Sequence, residues 1–269
     1  MVSFQTRAVG IVAFCAAITW SSFSPTPAQG EWYLSGYGGS SFSGKISDVT
    51  MPNYGQQLAF QQYPPANPAI GGATLTQSFN TSNVDLASSV IYGGKAGYFF
   101  RDEGLPWLGL EFEGFTSKPD IKAQTLSTHQ YIAYTPNPNI ITQPCTPQTC
   151  PNQSTTNGTL PLLSESSLRV YTAAFNVIAR YPGKVFQPYA GIGAAGFYFK
   201  AQSSGPIQGH QWAPGFNALA GLKILATDEW GLFVEGKYNL ANVDNLDQTF
   251  GLSGQYQIFH VVGGIAYHF

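Results

Sequence analysis

Apolar and polar residues alternate in eight separate stretches of the chain. They are "EWYLSGYGGSSF" (31–42), "VIYGGKAGYFF" (90–100), "WLGLEFEGF" (107–115), "LRVYTAAFNVIARY" (168–181), "VFQPYAGIGAAGFYF" (185–199), "GFNALAGLKIL" (215–225), "WGLFVEGKY" (230–238) and a last one ending in "GGIAYHF" (263–269). A period of two is the mark of a β-strand with two unlike faces. The connections alternate in length. Long polar stretches at 43–88 and 116–165 are followed by the short "RDEGLP" and "PGK" turns; the loop at 200–214 is followed by "ATDE", and 239–252 leads into the last strand. Strands of about ten residues with alternately long and short connections predict an all-β fold: an eight-stranded antiparallel up-and-down transmembrane β-barrel.

The faces decide between a membrane barrel and a soluble one of the lipocalin kind. Lys95 opposes Val90, Tyr92, Ala96 and Tyr98; Glu111 and Glu113 oppose Leu108, Leu110 and Phe112; Glu235 and Lys237 oppose Leu232, Val234 and Tyr238. Lys223 likewise opposes Ala220, Leu222 and Ile224. Charges therefore sit in mid-strand, behind a continuous apolar band. Tyr171 and Tyr181 end one such face, and ten residues tilted about 40° span roughly 25 Å, the height of a lipid-facing band between aromatic girdles. Tyr98, Phe100, Trp107 and Phe186 gather at the short turns and complete the expected girdle.

Composition agrees. Charged residues are 10% of the chain, against roughly 25% in ordinary domains, while aromatics reach 14% and there are 30 glycines. Residues 1–29 carry Arg7, a short apolar run and a small-residue end, which read as a cleaved signal peptide ahead of a barrel at 30–269. Loss of Arg7 takes the formal charge from −2 to −3, with 11 bases against 14 acids, and nothing suggests a nucleic-acid partner. Cys15 lies in the leader, leaving Cys145 and Cys150 in "CTPQTC". Two thiols four residues apart in an exported loop read as a local disulfide rather than as half of a metal site.

"GEWYLSGYGG", "GGKAGYFF", "PYAGIGAAG" and "GGIAYHF" resemble the OmpA-like family of small outer-membrane β-barrels, a porin-family outer membrane protein β-barrel domain. The resemblance implies residence in the outer membrane of a Gram-negative-type bacterium after export through the periplasm; the chain departs from full-length members by ending at the barrel, so no peptidoglycan-binding domain is expected. It also implies that Ile265, Tyr267 and Phe269 form the signal read by the barrel-assembly machinery. Further partners are the lipid bilayer, lipopolysaccharide and an extracellular ligand of unstated kind.

Lys95, Glu111, Glu113, Asn176, Arg180, Lys223, Glu235 and Lys237 should point into the lumen. Two readings are open: a gated ion path, or a salt-bridged polar plug, which the narrow diameter of eight strands favours. A hairpin pivot at Glu103 would set Lys95 opposite Glu111, and a pivot at Glu229 would set Lys223 opposite Glu235. No catalytic, cofactor or metal residues are expected. Lipid A deacylases of this fold carry a serine two positions after a strand histidine, and here Val262 follows His260, so the attacking hydroxyl is missing. His129 and His210 are read as isolated loop residues. The expected function is structural or surface-interacting, with binding through loops 43–88 and 116–165; the alternative is a narrow channel for small solutes or ions.

Overall fold

A computed structural model describes residues 31–62, 74–101, 103–135, 153–201 and 207–269. The segment expected to be a signal peptide, residues 1–29, and the expected Cys145–Cys150 disulfide lie outside the described residues. In chain order the elements are β1 (Glu31–Thr50), α1 (Pro52–Gln62), β2 (Thr74–Thr81), β3 (Val84–Asp85), β4 (Ser89–Phe100), β5 (Leu105–Ser117), β6 (Gln124–Thr135), β7 (Gln153–Leu162), β8 (Leu168–Arg180), β9 (Phe186–Ala201), β10 (Gly209–Leu225), β11 (Trp230–Val243) and β12 (Ser253–His268).

Eight of the strands close on themselves. β1 pairs with both β4 and β12, and the circuit runs β12–β11–β10–β9–β8–β5–β4–β1 with every neighbour antiparallel. Closure leaves no backbone edge facing lipid, as the hydrocarbon requires. The alternation holds through whole strands. In β8, Leu168, Val170, Ala174, Asn176, Ile178 and Arg180 are buried, while Tyr171, Phe175 and Val177 face outward.

Two expectations are corrected here. The long polar stretches hold ordered elements: β1 and β12 stay paired up to Thr50 and Ser253, and β2, β6 and β7 extend the sheet from β1. Their outer faces are rich in Thr, Gln and Asn, so the apolar half of the alternation is thin in the sequence. His129 and His210 accordingly sit on β6 and β10. The hairpin registers are also shifted by two residues from those expected. Lys95 faces Glu113 and Gly97 faces Glu111, because Phe99 pairs with Gly109 while Phe100 pairs with Leu105. This bulge, beside Gly104 at φ 76°, absorbs Pro106, Trp107 and Leu108. It leaves Trp107 exposed at the rim, out of phase with the lipid-facing Leu108, Leu110 and Phe112. Lys223 faces Phe233, and Gly221 faces Glu235. There the Thr227 hydroxyl accepts from the Glu229 and Trp230 N–H groups, and Ala226 N–H bonds Trp230 O at 2.8 Å, which centres the turn on Asp228.

Candidate functional site

The inward positions of the eight strands stack in three zones. At the short-turn mouth, Arg180 donates to both Glu31 oxygens, its Nη1 lying 2.6 Å from Oε1. Arg180 Nε also donates to Pro106 O at 3.0 Å, and its guanidinium covers the Phe99 ring at 3.7 Å. His268 Nδ1 lies 2.7 Å from Glu31, and Lys223 Nζ lies 3.2 Å from His268 Nε2 and 4.4 Å from the Tyr33 ring centroid. Lys223 therefore belongs to this zone, and not to Glu235.

The middle zone is a charge network. Lys95 Nζ lies 2.6 Å from Glu235, 3.5 Å from Glu111 and 3.8 Å from Glu113. Lys237 contacts Glu113 directly and Glu235 at 3.4 Å. Asn176 donates to Glu111, and Asn217 donates to Glu113 and to Asn176. Glu113, Glu235 and Lys237 are fully buried. Across the two zones, Lys95, Arg180, Lys223 and Lys237 balance Glu31, Glu111, Glu113 and Glu235, so the interior is neutral in formal charge. Buried ions are tolerated only when paired and hydrogen-bonded in this way.

A repeated device sets these carboxylates. Tyr33 lies opposite Gly97, and Gly97 lies opposite Glu111; the Tyr33 ring crosses the bare glycine and its hydroxyl donates to Glu111 at 2.6 Å. Tyr189, Gly221 and Glu235 repeat it across β9, β10 and β11, with a 2.8 Å bond. Tyr37 also lies over the glycine opposite it, Gly93, but the residue beyond that glycine is Phe115, and the Tyr37 hydroxyl donates to Glu113, two places along β5. A Cβ on Gly97 would fall inside contact distance of the Tyr33 ring, and one on Gly221 would meet the Tyr189 hydroxyl at 2.7 Å. Glycine is required at both positions for close approach. Sequence reasoning missed Tyr33, Tyr37, Tyr189, Asn217 and Asn239, the last of which donates to Asn217 at 2.9 Å; all but Tyr189 share the parity of a charged residue on their own strand.

The upper zone is apolar. Ile46, Val170, Phe197, Phe199, Val243, Leu246, Tyr256 and Ile258 fill the lumen below the extracellular elements, packed with Met51, Phe79, Leu86 and Ile121 from the adjoining chain. Between this zone and the network, Ser41 Oγ and His260 Nδ1 meet at 2.8 Å, and Ser89 donates to Ser41 at 3.2 Å. The hydroxyl that Val262 could not supply thus comes from β1, because Ser41 pairs directly with His260. Both residues are buried, and no described carboxylate hydrogen-bonds the ring. The void among Tyr33, Lys95, Glu111, Arg180, Tyr189 and Lys223 measures about 20 Å³, room for about one water.

Outside, Trp32 and Tyr98 pack at 5.0 Å, Trp230 and Tyr267 at 4.9 Å, and Tyr267 and Phe269 at 5.9 Å, with Tyr181 and Phe186 exposed at the same end. Ile265 and Phe269 face lipid, and the Phe269 N–H bonds Trp32 O at 3.0 Å. Tyr171 sits at the opposite end of the lipid-facing band.

A search of the curated proteins returned no sequence match. Among solved structures, the neisserial surface protein NspA matches at 11% identity over 88% of this chain and 96% of that one, with a TM-score of 0.43. OprG of Pseudomonas aeruginosa matches at 14% over 89% and 96% (TM-score 0.42), and the N-terminal β-barrel domain of OprF from the same organism at 14% over 90% and 100% (TM-score 0.38). These scores are too low to carry functional weight. The family model for the outer membrane protein beta-barrel domain matches residues 54–257, most of the chain and most of the barrel circuit. With its closed circuit of eight strands and its lipid-facing apolar wall, the chain belongs to the outer membrane protein β-barrel domain family and resides in the Gram-negative outer membrane.

Proposed function

We propose that this barrel is a closed scaffold that holds an extracellular binding surface, and that it is not a diffusion pore. The apolar zone carries this reading. Ions crossing the lumen would have to shed water against Phe197, Phe199 and Tyr256, and a bare charge in such surroundings costs several kcal/mol. The salt-bridged network beneath then serves as a plug that fixes the strands. A partner outside the cell would meet α1 and the β2–β6–β7 sheet, which stand beyond the membrane-spanning part of β1. Assembly through recognition of Ile265, Tyr267 and Phe269 by the barrel-assembly machinery fits the same picture.

A non-enzymatic role is the reading we favour. The Ser41–His260 pair lacks a carboxylate among the described residues to orient the imidazole, and both residues are buried. Nucleophilic catalysis needs both an oriented base and access for substrate. The test is conductance of the folded protein in planar bilayers. The bilayer should stay silent. Reproducible single-channel steps that change on Lys95→Ala or Glu111→Ala would establish the narrow channel instead.

A further inference from the structure

α1 covers only part of the sheet that extends from β1. Phe79, Gln130 and Thr156 pair successively across β2, β6 and β7, with Thr81, Thr128 and Gly158 in the next row, so all six share one sheet face. The helix lies on the β2 side of that face. Gly55 permits the close seat, because a Cβ there would fall inside contact distance of the Phe79 Cβ. Gln77 of β2 donates to Pro52 O at 2.9 Å, and Gln130 of β6 donates to Gly55 O at 3.2 Å. Beyond Gln130 the cover stops: Thr156 and Gly158 of β7 remain exposed.

A pocket of about 180 Å³ opens between α1 and β7, room for roughly six waters. Tyr54 and Leu58 form its helix wall. The Tyr54 ring stands edge-on to Phe79 at 5.4 Å and 85°, and packs on Phe250 at 5.5 Å, so it is held in place. Gln130, Thr128 and Thr156 bring an amide and two hydroxyls to the sheet wall. Gln130 commits one amide N–H to Gly55 O, and its amide carries a second N–H and a carbonyl. Gly158 leaves the wall bare between Thr156 and Leu160; a Cβ on it would come to 3.3 Å from Thr128 Oγ1. Among the described lining residues none is acidic or basic, so an ionic ligand would find no counter-charge. A wholly apolar ligand would leave the amide and hydroxyls without partners, which costs affinity. A pyranose ring answers both conditions. One of its faces is C–H and lies flat on an aromatic or aliphatic side chain, and its hydroxyls both donate and accept, as amide and threonine groups do. Gln130 and Thr156, adjacent in a cross-strand row, are about 5 Å apart, the reach of two hydroxyls across such a ring.

We propose that the pocket between α1 and β7 binds one neutral hexopyranose unit of a glycan outside the cell. The C–H face of the sugar lies against Tyr54 and Leu58, and its hydroxyls bond Gln130 and Thr156. The bare Gly158 gives the ring its depth. The proposal rests on the reading of α1 and the β2–β6–β7 sheet as a binding surface, and it names the ligand class for that surface.

The test uses the full barrel in phosphatidylcholine nanodiscs. Saturation-transfer NMR is run against methyl glucoside, methyl galactoside and methyl mannoside, and at least one should bind with a Kd near about 1 mM, as suits a single shallow sugar site. Thr156→Val removes one neutral hydrogen bond and should weaken binding about fivefold. Gly158→Val fills the bare wall and should weaken it at least about tenfold. Thr155→Val, on the opposite face of β7, should change nothing. Heat-modifiable mobility verifies that each variant is folded. In a second arm the nanodiscs are offered asialofetuin, whose chains end in galactose, and ribonuclease B, whose chains end in mannose, each with and without its glycans. Wild type should hold one glycosylated form at least about tenfold over its stripped form. Failure of all three glycosides to bind, or full binding by Gly158→Val, overturns the proposal. Equal capture of a stripped protein also overturns it, yet leaves the extracellular surface a binding surface, so the two readings fail separately.

Discussion

Lys237→Met tests whether the middle zone holds the barrel together by charge pairing. Lys237 is fully buried and touches Glu113 directly, with Glu235 at 3.4 Å and the Tyr37 hydroxyl at 3.2 Å. Its removal leaves Lys95 as the single nearby cation for Glu111, Glu113 and Glu235. Breaking a buried pair typically costs about 3–5 kcal/mol because a charge is left uncompensated, and we expect a loss in that range. Glu113→Gln should cost less, about 2–3 kcal/mol. Lys237 then keeps Glu235, and at an effective dielectric constant of about 20 an ion contact at this separation is worth roughly 5 kcal/mol before desolvation. The two changes together should cost less than their sum by about 1–3 kcal/mol. The assay is equilibrium urea unfolding in lipid vesicles, followed by the emission of Trp32, Trp107, Trp212 and Trp230, all placed on the outer wall or rim. A loss below about 1 kcal/mol for Lys237→Met, or strict additivity in the cycle, would show that hydrogen bonds and closure suffice without the ions.

Gly97→Ala should destabilise by about 2–4 kcal/mol, since it displaces the Tyr33 ring and orphans a Glu111 hydrogen bond. Gly114→Ala, whose Cβ would meet open space, should shift the same urea midpoint by less than about 1 kcal/mol; equal effects would refute the close-approach reading. Phe199→Ala should cost about 3–5 kcal/mol by opening the apolar zone. Paired with Tyr256→Ala, it should raise the ion leak of protein-loaded vesicles if that zone is the seal. An unchanged leak would place the seal in the charge network instead.

The membrane strands were legible in the sequence because each carries its own evidence: alternation within ten residues, aromatics at the ends, charges on one parity. What depended on two strands at once was not legible. Lys95 and Glu111 share a hairpin, yet the bulge at Phe99 and Phe100 moved the pairing by two residues without disturbing either face. The Ser41–His260 contact joins positions 219 apart in sequence through barrel closure, and no local window holds both. β2, β6 and β7 escaped notice because Thr and Gln fill their outer faces, so composition said loop where pairing made strand. The apolar zone is built from single residues of many strands, each unremarkable alone.

The crossing of tyrosine over glycine bears on how β1 and β4 find each other. No tight turn joins these two strands; α1, β2 and β3 intervene, so turn geometry cannot dictate their alignment. Tyr33 and Tyr37 are four residues apart, as are Gly97 and Gly93, and both pairs seat at once. A slip of two residues would press Tyr33 against Lys95 or Phe99. Odd slips turn the buried face of β4 outward, and among the even ones the first that reseats even one ring is four residues, about 13 Å along the strand. The two scales act as a vernier. A misaligned edge cannot creep toward the correct one in small steps, and must detach and try again.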